Sequence, residues 1–142
     1  MNVAGKVALI TGAAGEIGAA IACQLAEGGA RVALVDRNLD GVREIAEQIG
    51  KNASCHECDV SDEQSMAQTI ADAEKAHGRL DIGVLTAGIA LPRKPLEEVE
   101  VASFDRIMAV NARGVFLGLK CIFPALKRQG GGSIVVTAST EG

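Results

Sequence analysis

The stretch TGAAGEIG, residues 11 to 18, follows directly on the apolar run KVALIT, residues 6 to 11. Glycine at 12, 15 and 18 lets a backbone turn tightly and come close to a ligand. A turn of this kind between a strand and a helix leaves N–H groups at the start of the helix, where a phosphate is attracted. The run before it is short, apolar and rich in branched residues, as a buried strand should be. The residues after it, Ile17, Ile21 and Leu25, recur at helical spacing.

The same alternation continues outward along the chain. RVALVD (31–36), ASCHECD (53–59), LDIGVLTAG (80–88) and SIVVTAS (133–139) read as strands. Between them, Val42, Ile45, Ala46 and Ile49, then Met66, Ile70 and Ala73, mark helices. Phe104, Ile107, Met108, Val115, Leu119, Ile122 and Leu126 form the stripe of a longer helix over 103–129. Gly28 and Gly29 should stop the first helix, and SDEQ (61–64) should cap the third with acidic residues in its first turn. Pro92 and Pro95 mark a loop before the long helix.

Strands alternating with helices give a parallel sheet covered on both faces. Right-handed crossovers then favour one α/β architecture, a doubly wound Rossmann-type sheet in the order 3-2-1-4-5. Ligands of such sheets bind at the carboxyl ends of the strands, where the winding reverses. The 142 residues fit a single domain, 1–142, with no repeat or linker.

Composition narrows the function classes. With 48% hydrophobic and 23% charged residues the chain is an ordinary globular one, and its formal charge of -4 argues against nucleic acid and membrane surfaces as partners. There is no run of 18 apolar residues and little of the charged leader of a signal peptide, so a cytoplasmic location is expected. The four cysteines include a C-x-x-C, CHEC at 55–58. Residues three apart on a strand point to opposite faces, so Cys55 and Cys58 should diverge, and no metal site is expected. Reduced thiols fit a reducing compartment.

Asp36 ends the second strand roughly 20 residues after the glycine turn, the spacing at which an acid accepts hydrogen bonds from an adenosine ribose. A carboxylate there repels a 2'-phosphate, which favours NAD over NADP; Arg37 beside it is a group that can take such a phosphate or stack on adenine. A nucleoside triphosphate would want a lysine after the glycines, and none follows.

These residues resemble the short-chain dehydrogenases/reductases, whose nucleotide loop is T-G-x-x-x-G-x-G. TGAAGEIG matches at Thr11, Gly12 and Gly18, with Ile17 as often found, while Gly15 comes one place early and Glu16 stands where the family has glycine. The resemblance implies that Asp59 and Val60 of CDV line the adenine pocket. It also implies that Ala87 and Gly88 of GRLDIGVLTAG contact the cofactor, with Leu85 and Thr86 replacing the family's asparagines. Asn111 matches the position where the family's long helix distorts and its carbonyl holds a relay water. Ser139 matches the catalytic serine, whose hydroxyl would fix a small carbonyl or alcohol substrate beside the nicotinamide.

The family's Y-x-x-x-K should follow that serine. The chain has no tyrosine at all, so the resemblance spans only the cofactor-binding half, and the 142 residues alone are expected to be inactive. Two further readings stand beside an NAD-dependent oxidoreductase: a non-catalytic dinucleotide-binding or interaction module, and a fragment that aggregates through an open edge at Ile134, Val135 and Val136. That edge suggests part of a longer chain, one that by resemblance forms a dimer or tetramer through the long helix.

Overall fold

In the computed structural model, residues 2–139 are described. They form a five-stranded parallel sheet in the order β3-β2-β1-β4-β5, as the alternation requires. The strands are β1 (Val7–Thr11), β2 (Arg31–Asp36), β3 (Ala53–Glu57), β4 (Ile82–Leu85) and β5 (Ser133–Val136). The helices α1 (Glu16–Glu27), α2 (Leu39–Ile49) and α3 (Glu63–His77) alternate with the first four strands. A longer helical stretch, α4 (Val101–Ile107) and α5 (Gly114–Arg128), leads to β5.

Two apolar layers result. Ala8, Ile10, Val32, Leu34 and Val84 face α1 and α2, while Val7, Leu9, Ala33, Val35 and Leu85 face α3 and α5. Period-2 alternation along each strand divides these side chains between the layers. Cys55 and Cys58 fall on opposite layers for the same reason. At the amino ends of the strands, Asp81 is buried and accepts hydrogen bonds from the Val7 N–H (3.0 Å) and from Arg79 Nε (2.8 Å). Burial by itself would raise its pKa, but these bonds and the charges of Arg79 and Lys6 outweigh it and hold the carboxyl below its ordinary range.

Caps behave as the sequence suggests. Gly28 closes α1, and Asp62 caps α3 by accepting the Ser65 N–H at 2.6 Å, with Glu63 in the first turn. Three strands end before their apolar runs do, at Glu57, Leu85 and Val136.

The stripes of two helices are corrected. Ile17 is 62% exposed, while Ile21 and Leu25 pack partly buried against the core beside the buried Gly18 and Ala22. On the long helix, Phe104 and Met108 are exposed, whereas Ile122 and Leu126 of the expected stripe are buried, joined by Val110, Gly114, Leu117, Gly118 and Ala125. Two physical causes combine. The segment Met108–Arg113 is π-wound, which adds a residue to the turn and rotates everything upstream of it. The closest approach to the sheet is made by glycine: a Cβ on Gly118 would sit 2.8 Å from Leu85 Cδ2, and one on Gly114 2.9 Å from Val60 Cγ2.

The stretch Val101–Arg128 is long and apolar enough, by length and composition, to cross a membrane. Its Leu117, Ile122 and Ala125 side chains are buried against the sheet, the position of a core helix.

Candidate functional site

The carboxyl ends of β1, β2 and β4 open on a crevice of about 410 Å³, lined by the turn after β1, the end of β2 and the segment after β4. That volume is in the range of small-molecule sites, and the position is the switch point between the two windings of the sheet.

Glycine is required here at named atoms. Gly12 has φ +70°, and a Cβ on it would lie 2.8 Å from the Ala87 Cα, because the backbone after β4 crosses directly over the turn. A Cβ on Gly18 would lie 2.2 Å from the Gly12 carbonyl oxygen, far inside van der Waals contact, so only glycine lets α1 sit on its own loop. Gly15 is the N-cap of α1 and no side chain caps the helix. The N–H groups of its first turn therefore stand at the crevice wall formed by Gly15, Glu16, Ile17 and Gly18, a cradle for an anion. Glu16 is exposed at the first helical position. Its carboxylate suits the helix dipole but carries the same charge as a phosphate.

Thr11 does not line the crevice. It is buried, and its Oγ1 accepts the N–H groups of Thr86 (3.2 Å) and Ala87 (3.3 Å), while Thr86 Oγ1 donates back to the Thr11 carbonyl. These bonds tie the ends of β1 and β4 together and set where Ala87 and Gly88 pass. Leu85, by contrast, is a core residue.

Asp36 ends β2 at the crevice, with Arg37 beside it. Its Oδ2 accepts the Ala14 N–H (3.1 Å) and its Oδ1 the Asn38 N–H (3.0 Å), so two backbone bonds fix the carboxylate plane. Each oxygen keeps a second lone pair for a further donor. Val60 and Cys58 form the adjoining wall. Asp59 lies between them but outside the lining: its Oδ1 accepts Ser61 Oγ at 2.6 Å and the Ser61 N–H at 3.0 Å. Those hydrogen bonds from Ser61 lower its pKa and close the turn leading to α3.

Asn111 lies within the π-wound segment. Its Oδ1 accepts the Ile89 N–H and its Nδ2 donates to the Ile89 carbonyl, both at 2.9 Å, so one amide grips the segment after β4 from the other side. Ser139 stands past the end of β5, which is parallel to β4 and pairs with it over Ser133–Val136; the ladder runs on to the Thr137 N–H, bonded to the Leu85 carbonyl at 3.0 Å. Ser139 is therefore at the same end of the sheet as the crevice, although it is not part of the lining.

The structure thus brings Gly12, Gly15, Ile17, Gly18, Asp36, Arg37, Val60, Ala87 and Gly88 to one cavity and leaves Thr11, Asp59, Asn111 and Ser139 beside it. Cys58, Ile89 and Val110 also line it. Sequence reasoning missed these three because each belongs to a segment read for another purpose. The exposure of Ile17, an isoleucine in the first turn of a helix, is the kind of signal that a ligand wall leaves.

Comparison with known proteins agrees with this fold. The family model described as short chain dehydrogenase matches residues 6–142. The chain is 45% identical to D-threitol dehydrogenase of Mycolicibacterium smegmatis over 139 residues, covering 95% of this chain and 53% of that protein. It is 35% identical to levodione reductase of Leifsonia aquatica, over 96% of this chain and again 53% of the relative. Among solved structures, 3-ketoacyl-(acyl-carrier-protein) reductase from Brucella melitensis complexed with NADH superposes with a TM-score of 0.94 at 39% identity, covering 97% of this chain and 59% of that one. The chain spans about half the length of the curated relatives it matches.

Proposed function

The chain belongs to the short-chain dehydrogenase family, and on that premise we propose that residues 1–142 form the dinucleotide-binding half of an NAD-dependent oxidoreductase. The observation that carries this reading is the glycine cradle at Gly12, Gly15 and Gly18, open on a crevice that ends at the fixed carboxylate of Asp36. The uncapped N–H groups at the start of α1 would hold the pyrophosphate. Asp36 would take the adenosine ribose hydroxyls on its remaining lone pairs, with Val60 along the adenine and Ala87 and Gly88 toward the nicotinamide side. A 2'-phosphate at the same place would meet the Asp36 carboxylate, which favours NAD over NADP. Arg37 opposes that preference only in part, since its neighbour is held by two backbone bonds.

The bound dinucleotide would supply hydride chemistry. This chain's part is to orient it and to place a small carbonyl or alcohol substrate. Ser139 is the residue proposed to donate to, or accept from, the substrate oxygen. Asn111 is proposed to hold the segment after β4 in place through Ile89. With no tyrosine in the sequence, these residues carry no phenolic general acid, so the proposal assigns them binding and orientation rather than proton transfer. Self-association along the long helix belongs to the same reading and is supported by the exposed Phe104, Phe116 and Phe123.

The test is calorimetric titration with NAD and NADP alongside an absorbance assay of hydride transfer. Saturable NAD binding without turnover is the expected result for these 142 residues. Absence of binding would overturn the reading.

A further inference from the structure

His56, set inside CHEC, and His77, the last residue of α3, are the only histidines in the sequence and lie 21 positions apart. The fold brings them to a single atom. Ser54 and His56 alternate on one face of the edge strand β3, and α3 ends over that face. Nε2 of His56 and Nε2 of His77 each lie 2.8 Å from Ser54 Oγ. One hydroxyl has a single proton to give and two lone pairs to accept with, so at least one of the two rings donates to it. Two ring nitrogens on different elements thus converge on one point, beside a cavity of about 290 Å³ lined by His56, Glu57, Gln68 and Asp72.

The electrostatics of that point favour a cation bound to neutral rings. Burial lowers the pKa of His56, against the opposing charge of Asp72, and burial together with Arg31 and His56 lowers that of His77. Neutral imidazole is the ligating form. Asp72 on α3 supplies negative charge, and His77 occupies the last turn of α3, where the helix carbonyls favour positive charge. Arg31, at the start of β2, acts against it.

We propose that His56 and His77 form a two-imidazole site for a divalent transition ion of the zinc class, with water from the adjoining cavity completing its coordination. Metal–nitrogen bonds of about 2.0–2.1 Å replace the two 2.8 Å hydrogen bonds, so each ring closes by less than about 1 Å as the hydroxyl turns aside. A ring that carried its proton on Nε2 shifts it to Nδ1, and neither ring loses its neutrality. Among the described residues no group of three His, Cys, Asp or Glu side chains converges, so the site has open positions and exchanges its ion readily. An ion there ties the edge strand β3 to the end of α3 and stabilises the folded chain by mass action.

The experiment is calorimetric titration of the purified protein with ZnCl2 near neutral pH, repeated on His56→Gln, His77→Gln and Cys55→Ser, each checked for folding by circular dichroism. The expected result is one ion per chain, at least about tenfold weaker binding in either histidine variant, and unchanged binding in Cys55→Ser, whose sulfur packs in the opposite layer. The imidazole proton resonances of both histidines should shift together as zinc is added. Should either histidine variant fold poorly, those resonances in the unaltered protein decide the matter. Zinc binding that survives both histidine variants, that disappears with Cys55, or that leaves either imidazole resonance unmoved would overturn the proposal.

Discussion

β1 and β5 are parallel strands of one sheet, each hydrogen-bonded to β4, yet every residue of β1 is buried while in β5 only Ile134 is even partly covered. β1 has a strand on each side and helices over both faces. β5 has β4 on one side and α5 against it, and among the described residues nothing lies on its outer edge. The crevice therefore has one wall that is rigid by construction, the turn after β1, while Ser139 stands outside its lining, past a strand that packing scarcely holds. Under the proposed function, the binding of a dinucleotide would draw on that wall, and the placing of a substrate by Ser139 on that strand.

The comparison is broken most directly by stability. Leu9→Ala in β1 should cost about 2–5 kcal/mol, the range for deleting a fully buried leucine, read from urea unfolding. A smaller loss would mean that β1 is not the rigid element described. Next comes the turn itself. Gly18→Ala forces a methyl against the Gly12 carbonyl, and overpacking of this kind costs about 1–3 kcal/mol. Dinucleotide affinity should fall by at least about tenfold, measured by calorimetry on the folded fraction.

A sharper test separates recognition from packing. Asp36→Ala should leave the fold in place, weaken NAD, and shift the NAD to NADP preference toward NADP by about tenfold, or about 1.4 kcal/mol. An unchanged preference would assign cofactor choice to another residue.

Acidity gives a smaller, two-stage effect. Burial holds His56 and His77 below the ordinary histidine value of 6.5, so the unfolded chain binds their protons first. Stability should decline as pH falls from 6.5 toward their lower folded values, and the double variant His56→Gln, His77→Gln should flatten that slope. The depressed Asp81 adds stability that is complete above its ordinary 3.8 and is lost as pH falls further through the folded value. Smallest of all, Val136→Ala on exposed β5 should change stability by no more than about 0.5 kcal/mol.

Much of this molecule is written locally. Strands buried on both faces must be apolar throughout, so β1 and β2 stand out as VALIT and RVALVD, and their alternation with helices determines the winding. The glycine turn is legible because its residues are contiguous. Helix faces are less so. α1 and α5 make their tightest contacts at Gly18, Gly114 and Gly118, where the absence of a side chain allows the approach, and a search for large apolar residues looks past them. The π-wound turn at Met108–Arg113 adds a phase shift that a regular period does not contain. Cys58, Ile89 and Val110 reach the crevice, and His56 meets His77, only through tertiary packing, which has no signature in spacing along the chain.

Backbone amide resonances followed while NAD is added would test the central claim most directly. The account predicts saturable shifts confined to Gly12–Gly18, Asp36, Arg37, Cys58, Val60, Thr86, Ala87, Gly88, Ile89 and Val110, with the β3 and α3 amides around His56 and His77 unmoved. Shifts located elsewhere, or none at millimolar NAD, would contradict it.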